Sequence, residues 1–453
     1  MKKRVFALLL AGMMIGCTTN GVYAEKNDAS QDEEITISLW KWIPVEGLQM
    51  DTVKEAWEED HPNIHLEIYN NGSSEELFQK YASALPAGEG PTVMGMQVGA
   101  RANQFKDFLE PLAPYAEEKW GEDWESMFLD TALEQCRWSG DDYVVLPGGM
   151  TGAPIIQYNV NAFEELGITE TPKTLDELYD IIEKTKANGQ MIPGIGIGAK
   201  DGYTCRDVYM SIINQIAPGK IYEAINGETS FTDDEFVEAM NIWKEMWDNG
   251  LFADGSLGTS LYPDIYDNFE KAGTDGNNYY NMISCGTWHA SSMTKAQVEA
   301  YAEQGTCDPD LRTGAFLLPP VKEGCESNLV ATVDVAWAIN KNATEAEKKA
   351  AFEFIAWMAA GRGQEVFSNT LQVLPAAKNI SIEKGLSDMN GDTETEAVEM
   401  FQTYVENNVG AREIVYPDIA NAMNDALQGV ASGVMTPEDA LATIQSVSEN
   451  VVR

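Results

Sequence analysis

Histidine is scarce in this chain, with only His61, His65 and His289 among 453 residues. Centres built on imidazole need several at close spacing, and His61 and His65 flank Pro62 at a helix–strand junction, where they read as surface residues. Apart from Cys17 there are five cysteines: Cys136, Cys205, Cys285, Cys307 and Cys325. An odd number without CxxC spacing excludes a full disulfide framework and a Cys/His zinc site, leaving Cys307 with Cys325 as the one pair to consider as a bridge. Nucleophile and phosphate signatures are missing too, since no GxSxG, HExxH, GxxxxGK[ST] or GxGxxG occurs. "GIGIGAK" (194–200) alternates glycine with isoleucine and suits a strand, while "DMNGDTE" (388–394) lacks the full calcium-loop pattern and reads as a solvated loop. No cofactor is indicated. Positive charge is in short supply, with 30 Lys and Arg against 72 Asp and Glu and a formal net charge of −42. Such a balance excludes nucleic acid and anionic polymers as partners. Beyond the N-terminus, no run is apolar enough to cross a bilayer.

The N-terminus itself is a targeting segment. Lys2, Lys3 and Arg4 precede an apolar stretch of 13 residues from Val5 to Cys17, too short to span a membrane and of the length of an export signal. Two processing sites are present. "MIGC" (14–17) resembles a bacterial lipobox, in which Cys17 is lipidated and becomes the mature terminus; "VYA" before Glu25 fits ordinary cleavage after Ala24. We take the lipobox as the first expectation and a freely secreted or periplasmic product as the alternative. Losing the three cations takes the charge from −42 to −45. Residues 25–34 then form a polar tether.

Past the tether an α/β rhythm begins. "ITISLWKW" (35–42) alternates as a strand until Pro44, residues 48–60 carry Val53, Ala56 and Trp57 at helical spacing, "NIHLEIY" (63–69) alternates again, 74–85 is helical, and "PTVMGMQ" (91–97) is a third strand. Strands separated by helices of this length imply βαβ units and parallel pairing. "TLDE" (174–177) and "TDDE" (232–235) read as capping boxes with Thr at the N-cap. The second opens a helix with Trp243 and Trp247 on its buried stripe. Further helices run over 344–363, ended by Gly361, and over 436–452, with Pro437 at its first position. "YVVLPGGMTGAPIIQYN" (143–159) and "FLLPPVKEGCESNLVATVDVAWAIN" (316–340) interrupt the rhythm with apolar extended runs around Pro and Gly, as a chain crossing between lobes does.

Several stretches in this order resemble one family. "LFQKYASALPAGEGPTVM" (77–94) looks like its helix and Gly-Pro strand entry, with Thr92 where Asp is usual. "VLPGGMTGAPIIQYNVNAFEELGI" (145–168), "MISCGTWHASS" (282–292), the Pro-containing strand and helix from Leu311 to Met358, and "LPAAKN" (374–379) follow. The chain resembles the extracellular solute-binding proteins of ABC importers, in the carbohydrate-binding group that includes maltose-binding protein. The resemblance implies two hinged α/β lobes, each a mostly parallel sheet flanked by helices, with ligand held between them. It divides the chain into residues 35–146 plus 331–408 for lobe 1 and 147–330 plus 409–453 for lobe 2.

A sugar ring offers an apolar face and a polar rim, so its pocket needs flat aromatics and fixed hydrogen-bonding groups. Trp288 matches the family's stacking tryptophan, with Gly286 and Thr287 making the turn and His289 as a neighbour. Trp42 ends the first strand, where carboxyl ends face a cleft, and Trp40 shares its side of the strand, so one packs under the other. Tyr203 sits where the family presents a ring from the second lobe, or it is a loop tyrosine. Arg101 is a cation able to fork onto vicinal hydroxyls, or a surface ion pair. Asp334, among apolar neighbours, is a structural anchor or a sugar ligand. Gln97 and Tyr416 complete the set. The implied function is capture of a sugar or oligosaccharide by a monomeric, non-enzymatic protein that delivers it to a membrane permease. The alternatives are a binding protein for a polyamine or peptide, which the negative charge would attract, and an extracellular polysaccharide-acting enzyme.

Overall fold

Alternating side chains from Ile35 onward become strand β1 (Ile35–Lys41), which buries Ile37 and Leu39. The computed structural model describes residues 34–44, 48–138, 142–271 and 278–452. The expected export signal, Cys17 and all of the expected tether except Glu34 lie outside the described residues. Helix α1 (Leu48–Asp60) leads to β2 (Ile64–Asn70), and α2 (Ser74–Ala84) leads to β3 (Val93–Met96). The Ser73 hydroxyl accepts from the Glu76 amide to start α2, which then turns Leu77, Phe78 and Tyr81 inward. A short helix α3 (Ala100–Phe105) follows, and the chain reaches β4 (Leu146–Ala153) and β5 (Ile155–Asn159). After α4 (Leu175–Asn188) come β6 (Gly196–Ile197), α5 (Tyr203–Ile216) and α6 (Asp234–Asp248). Strands β7 (Met282–Cys285), β8 (Thr313–Phe316) and β9 (Val330–Ile339) precede the helices α7 (Glu345–Ala360), α8 (Asp392–Glu406), α9 (Pro417–Ala431) and α10 (Pro437–Val451).

These strands form two main sheets, ordered β2-β1-β3-β9-β4 and β8-β5-β7-β6. β1 pairs in parallel with β2 and β3, as the βαβ rhythm requires. Mostly parallel sheets are not what forms overall. β9 is antiparallel to both β3 and β4, and β5 is antiparallel to β7 and β8. A strand returning from the other sheet enters from the opposite end, so each crossing segment adds antiparallel pairs. The chain passes from the first sheet to the second at Ala153–Pro154 and returns between Phe316 and Val330. Two large apolar clusters fill the interior. Trp57, Trp337 and Phe354 belong to one, Tyr209, Phe236 and Trp243 to the other.

Local expectations fare unevenly. Trp243 is fully buried and Trp247 packs beside it, but α6 is capped at Asp233, one residue after the expected Thr, with no side-chain bond. Thr174 caps α4, yet Glu177 reaches back to the Lys173 amide, so that box closes on one side only. The full reciprocal box is at Thr344 and Glu347, and Gly361 ends α7 only for a new helix to begin at Arg362. His61 is no free surface residue, because its ring stacks on Trp57 at 3.8 Å. Cys307 and Cys325 are both free thiols. Residues 388–394 are not simply a solvated loop, since Glu394 is wholly buried and takes two bonds from Arg312 in the first turn of α8. Only Gly196 and Ile197 of "GIGIGAK" pair as a strand.

Candidate ligand-binding site

The turn after β7 builds the centre of the site. Thr287 opens a 3₁₀ helix (Thr287–Met293), and its hydroxyl accepts from the Gly152 amide at 2.9 Å, tying the turn to the crossing strand β4. Trp288 folds back over Gly286, where an added Cβ would lie 2.0 Å from the indole Cζ3, so only glycine fits. The indole Nε1–H donates to Tyr266 Oη at 2.8 Å. Tyr266 is buried and stacks on His289 with 3.8 Å between centroids and 7° between planes. His289 is fixed in turn by Gln157 Oε1 at 2.6 Å and Glu270 Oε1 at 3.2 Å. It thus stands as a support behind Tyr266.

Arg412 comes from the stretch between α8 and α9, where its amide donates to Ala331 O at 2.9 Å. Its guanidinium forks onto Asp207 of α5 at 2.9 and 3.0 Å, with both side chains buried. The Cζ lies 4.9 Å from the Trp288 ring centroid and 5.4 Å from that of Tyr203. Burial alone would depress this guanidinium, but Asp207, Glu413 and Asp334 outweigh it and hold the cation above its ordinary value. Arg412 therefore brings Trp288 and Tyr203 together.

Asp334 owes its direction to an irregularity. β9 pairs Val333 with Met150 and Val335 with Gly149, so Asp334 is the extra residue of a bulge, a device that re-aims a side chain. Its carboxylate accepts from Gln97 Nε2 at 3.2 Å and Thr151 Oγ1 at 3.3 Å. Burial pushes its carboxyl above the usual aspartate value, with Arg412 pulling the other way. Nearby, the Leu261–Ile265 turn is pinned by the Leu261 amide donating to Asp201 Oδ2 at 2.7 Å, and Tyr262 packs edge-on against Tyr266 at 4.7 Å. Burial raises the Tyr262 phenol above its ordinary value, with Asp334 adding to the rise and Arg412 opposing it.

From the first sheet, Trp42 tilts against Phe78 at 6.1 Å, and the Arg101 guanidinium lies over the same ring at 4.8 Å. Among the described residues Arg101 has no carboxylate within 4.0 Å, so the surface ion pair does not form there. Trp40 is the packing partner: it stacks on Tyr81 at 6.0 Å and 3° and is tilted against Tyr69. Tyr416 stands at the N-cap position of α9, without a side-chain bond there, and packs on the second apolar cluster.

The structure thus joins Trp288 with Tyr203, Asp334 with Gln97, and Trp42 with Arg101. The sequence reading missed Arg412, Asp207, Tyr262 and Tyr266. Two signals were there to use: a cation in the acidic tail "VGAREIVYPD" and two tyrosines four apart around Pro263 in "LYPDIY". Chemically the cluster offers ring faces beside fixed donors and acceptors, and no group of three His, Cys, Asp or Glu able to hold a metal occurs among the described residues.

Comparison with known proteins places this arrangement. An ABC transporter extracellular-binding protein of Pyrococcus horikoshii is 24% identical over 250 residues, covering 51% of this chain and about half, 54%, of that protein. Among solved structures, a chitin oligosaccharide binding protein superposes with a TM-score of 0.73 at 19% identity, covering 93% of this chain and 100% of the other. A substrate-binding protein of Listeria monocytogenes in complex with cycloalternan gives 0.69 at 18%, covering 92% and 99%. These structures share the two-lobed α/β fold. Residues 44–365 match the family model described as bacterial extracellular solute-binding protein. With that pattern covering most of its length, this chain belongs to the bacterial extracellular solute-binding proteins.

Proposed function

We propose that this chain captures a sugar or oligosaccharide between its two lobes and delivers it to the permease of an ABC importer, without catalysis. The observation that carries the reading is the run of four aromatic side chains, Tyr203, Trp288, Tyr266 and Tyr262, beside Asp334 and Arg412 where the chain crosses between sheets. Rings cover a sugar's apolar face, and fixed carboxylate, amide and guanidinium groups meet its hydroxyls. The carbohydrates named for the neighbouring structures support the same class. In this reading the cluster of Trp288, Tyr203, Tyr266 and Tyr262 with Asp334 and Gln97 forms one side of the site, and Trp42 and Arg101 form the other. Trp40 supports that second group, and Tyr416 borders the cleft.

The lobes follow residues 35–146 with 331–408, and 147–330 with 409–453, with the crossing strands β4 and β9 both joined to the first sheet. Ligand favours their closed arrangement through its higher affinity for that state. The family is extracellular, so the protein is exported; a lipid on Cys17 would hold this monomer at the membrane near its permease, with cleavage after Ala24 as the route to a free form.

A thermal-shift panel of saccharides, amino acids, sugar phosphates and spermidine tests the class. A saccharide at 100 times its Kd should add about 2.7 kcal/mol of stability. A panel in which saccharides do nothing and spermidine raises the melting point contradicts the proposal in favour of a polyamine site. Conversion of an oligosaccharide to shorter products contradicts the absence of catalysis.

A further inference from the structure

Trp288 already has a partner over its ring in this structure. The Arg412 guanidinium already lies over its ring, held there by two bonds to the buried Asp207, and the ring's edge folds onto Gly286. Tyr203 meets the same guanidinium and Tyr266 is buried against His289. The fourth ring behaves differently. Tyr262 is 58% exposed, although Leu261 and Ile265 on either side of it are wholly buried. It is thrown outward because it alone is extended (φ −106, ψ 128) within the Leu261–Ile265 turn. Its position is nevertheless fixed: Asp201 holds the Leu261 amide, Asp264 Oδ2 accepts from the Ser260 amide at 3.2 Å, and Tyr266 backs the ring edge-on. Tyr69, another exposed aromatic, differs in that Lys80 covers its ring at 4.3 Å.

Resting on the carbohydrate reading, we infer that Tyr262 is the principal sugar-stacking surface of the site and that Trp288 is a positioning residue, acting through Tyr266. A large ring that folding leaves uncovered, on a backbone anchored at both ends, is pre-organised to bury its face against a ligand at little entropic cost. Trp288, by contrast, orients Tyr266 through its Nε1–H and closes the space beneath Arg412. Specificity then follows from what lies beside Tyr262: Asp334 can accept hydrogen bonds from the hydroxyls of a ring stacked there, while the nearby cation, Arg412, is engaged by Asp207.

The test is calorimetric titration of the mature chain, Tyr262→Ala, Tyr262→Phe and Trp288→Phe with maltotriose, xylotriose, cellotriose and chitotriose, alongside thermal melts. For a trisaccharide that the parent binds, Tyr262→Ala is expected to lose affinity by about tenfold or more with its melting point nearly unchanged, since the side chain is exposed. Tyr262→Phe keeps the ring and should stay within about threefold. Trp288→Phe should lower affinity together with the melting point. Parent-like affinity in Tyr262→Ala overturns the inference, and so does a loss confined to Trp288→Phe. If the parent binds none of the saccharides, the carbohydrate reading itself fails, and the inference falls with it.

Discussion

At the scale of single residues, a buried ion pair and the Asp334 carboxyl act on stability in opposite ways. Arg412 and Asp207 are 6% and 3% exposed and joined by two hydrogen bonds. Removing one partner leaves the other charge buried and alone, so Arg412→Ala is expected to cost about 3–5 kcal/mol, measured by urea unfolding. A cost under about 1 kcal/mol would mean the pair behaves as an exposed surface bridge. Asp334 is a different case, because burial holds its carboxyl above the ordinary value of 3.8. An acid whose pKa rises on folding binds its proton more tightly in the native state. Its contribution to stability is complete below the ordinary value and is lost as pH rises through the raised one. Asp334→Asn removes that loss. The unfolding free energies of parent and variant should converge in acid and separate toward neutral pH, with the variant the more stable there. Parallel profiles would show that the carboxyl is not shifted.

Among elements, helix starts and strand pairing separate what sequence patterns carry from what they do not. Thr344 and Glu347 satisfy each other's backbone donors at the start of α7, which packs Phe354 and Ile355 into the first apolar cluster. Thr344→Ala should therefore cost about 1 kcal/mol in stability and leave ligand affinity unchanged, since the cap is exposed and serves only the helix. Such caps were legible because both partners lie within one turn. β1 to β3 were legible for a related reason, as the period of two is a local property. The bulge that aims Asp334 was not, because a register exists only once β4 has been chosen as partner. Trp288 was readable from the glycine before it and the strand that ends there. Arg412 was not, because Asp207, the residue that gives it a role, stands 205 positions away. Tyr262 carried the least signal. Its exposure depends on one extended residue inside a helical turn, and a tyrosine four residues before another suggests a common buried stripe instead.

For the molecule as a whole, two sheets share one chain that crosses between them, and the crossing stretches supply much of the proposed site. β4 and β9 contribute Thr151 and Asp334, and the stretch after α8 contributes Arg412. A ligand touching these groups therefore touches the segments on which any hinge motion must turn. The formal charge of −42 for the full chain bears on solubility and partner choice rather than on the fold, and the ring cluster narrows the ligand further than charge does. The most direct test of the central claim is calorimetric titration of the mature protein with a set of neutral oligosaccharides. Saturable binding of at least one, at one site per chain, is the predicted result. No heat with any saccharide, together with saturable binding of spermidine or a peptide under the same conditions, would contradict it.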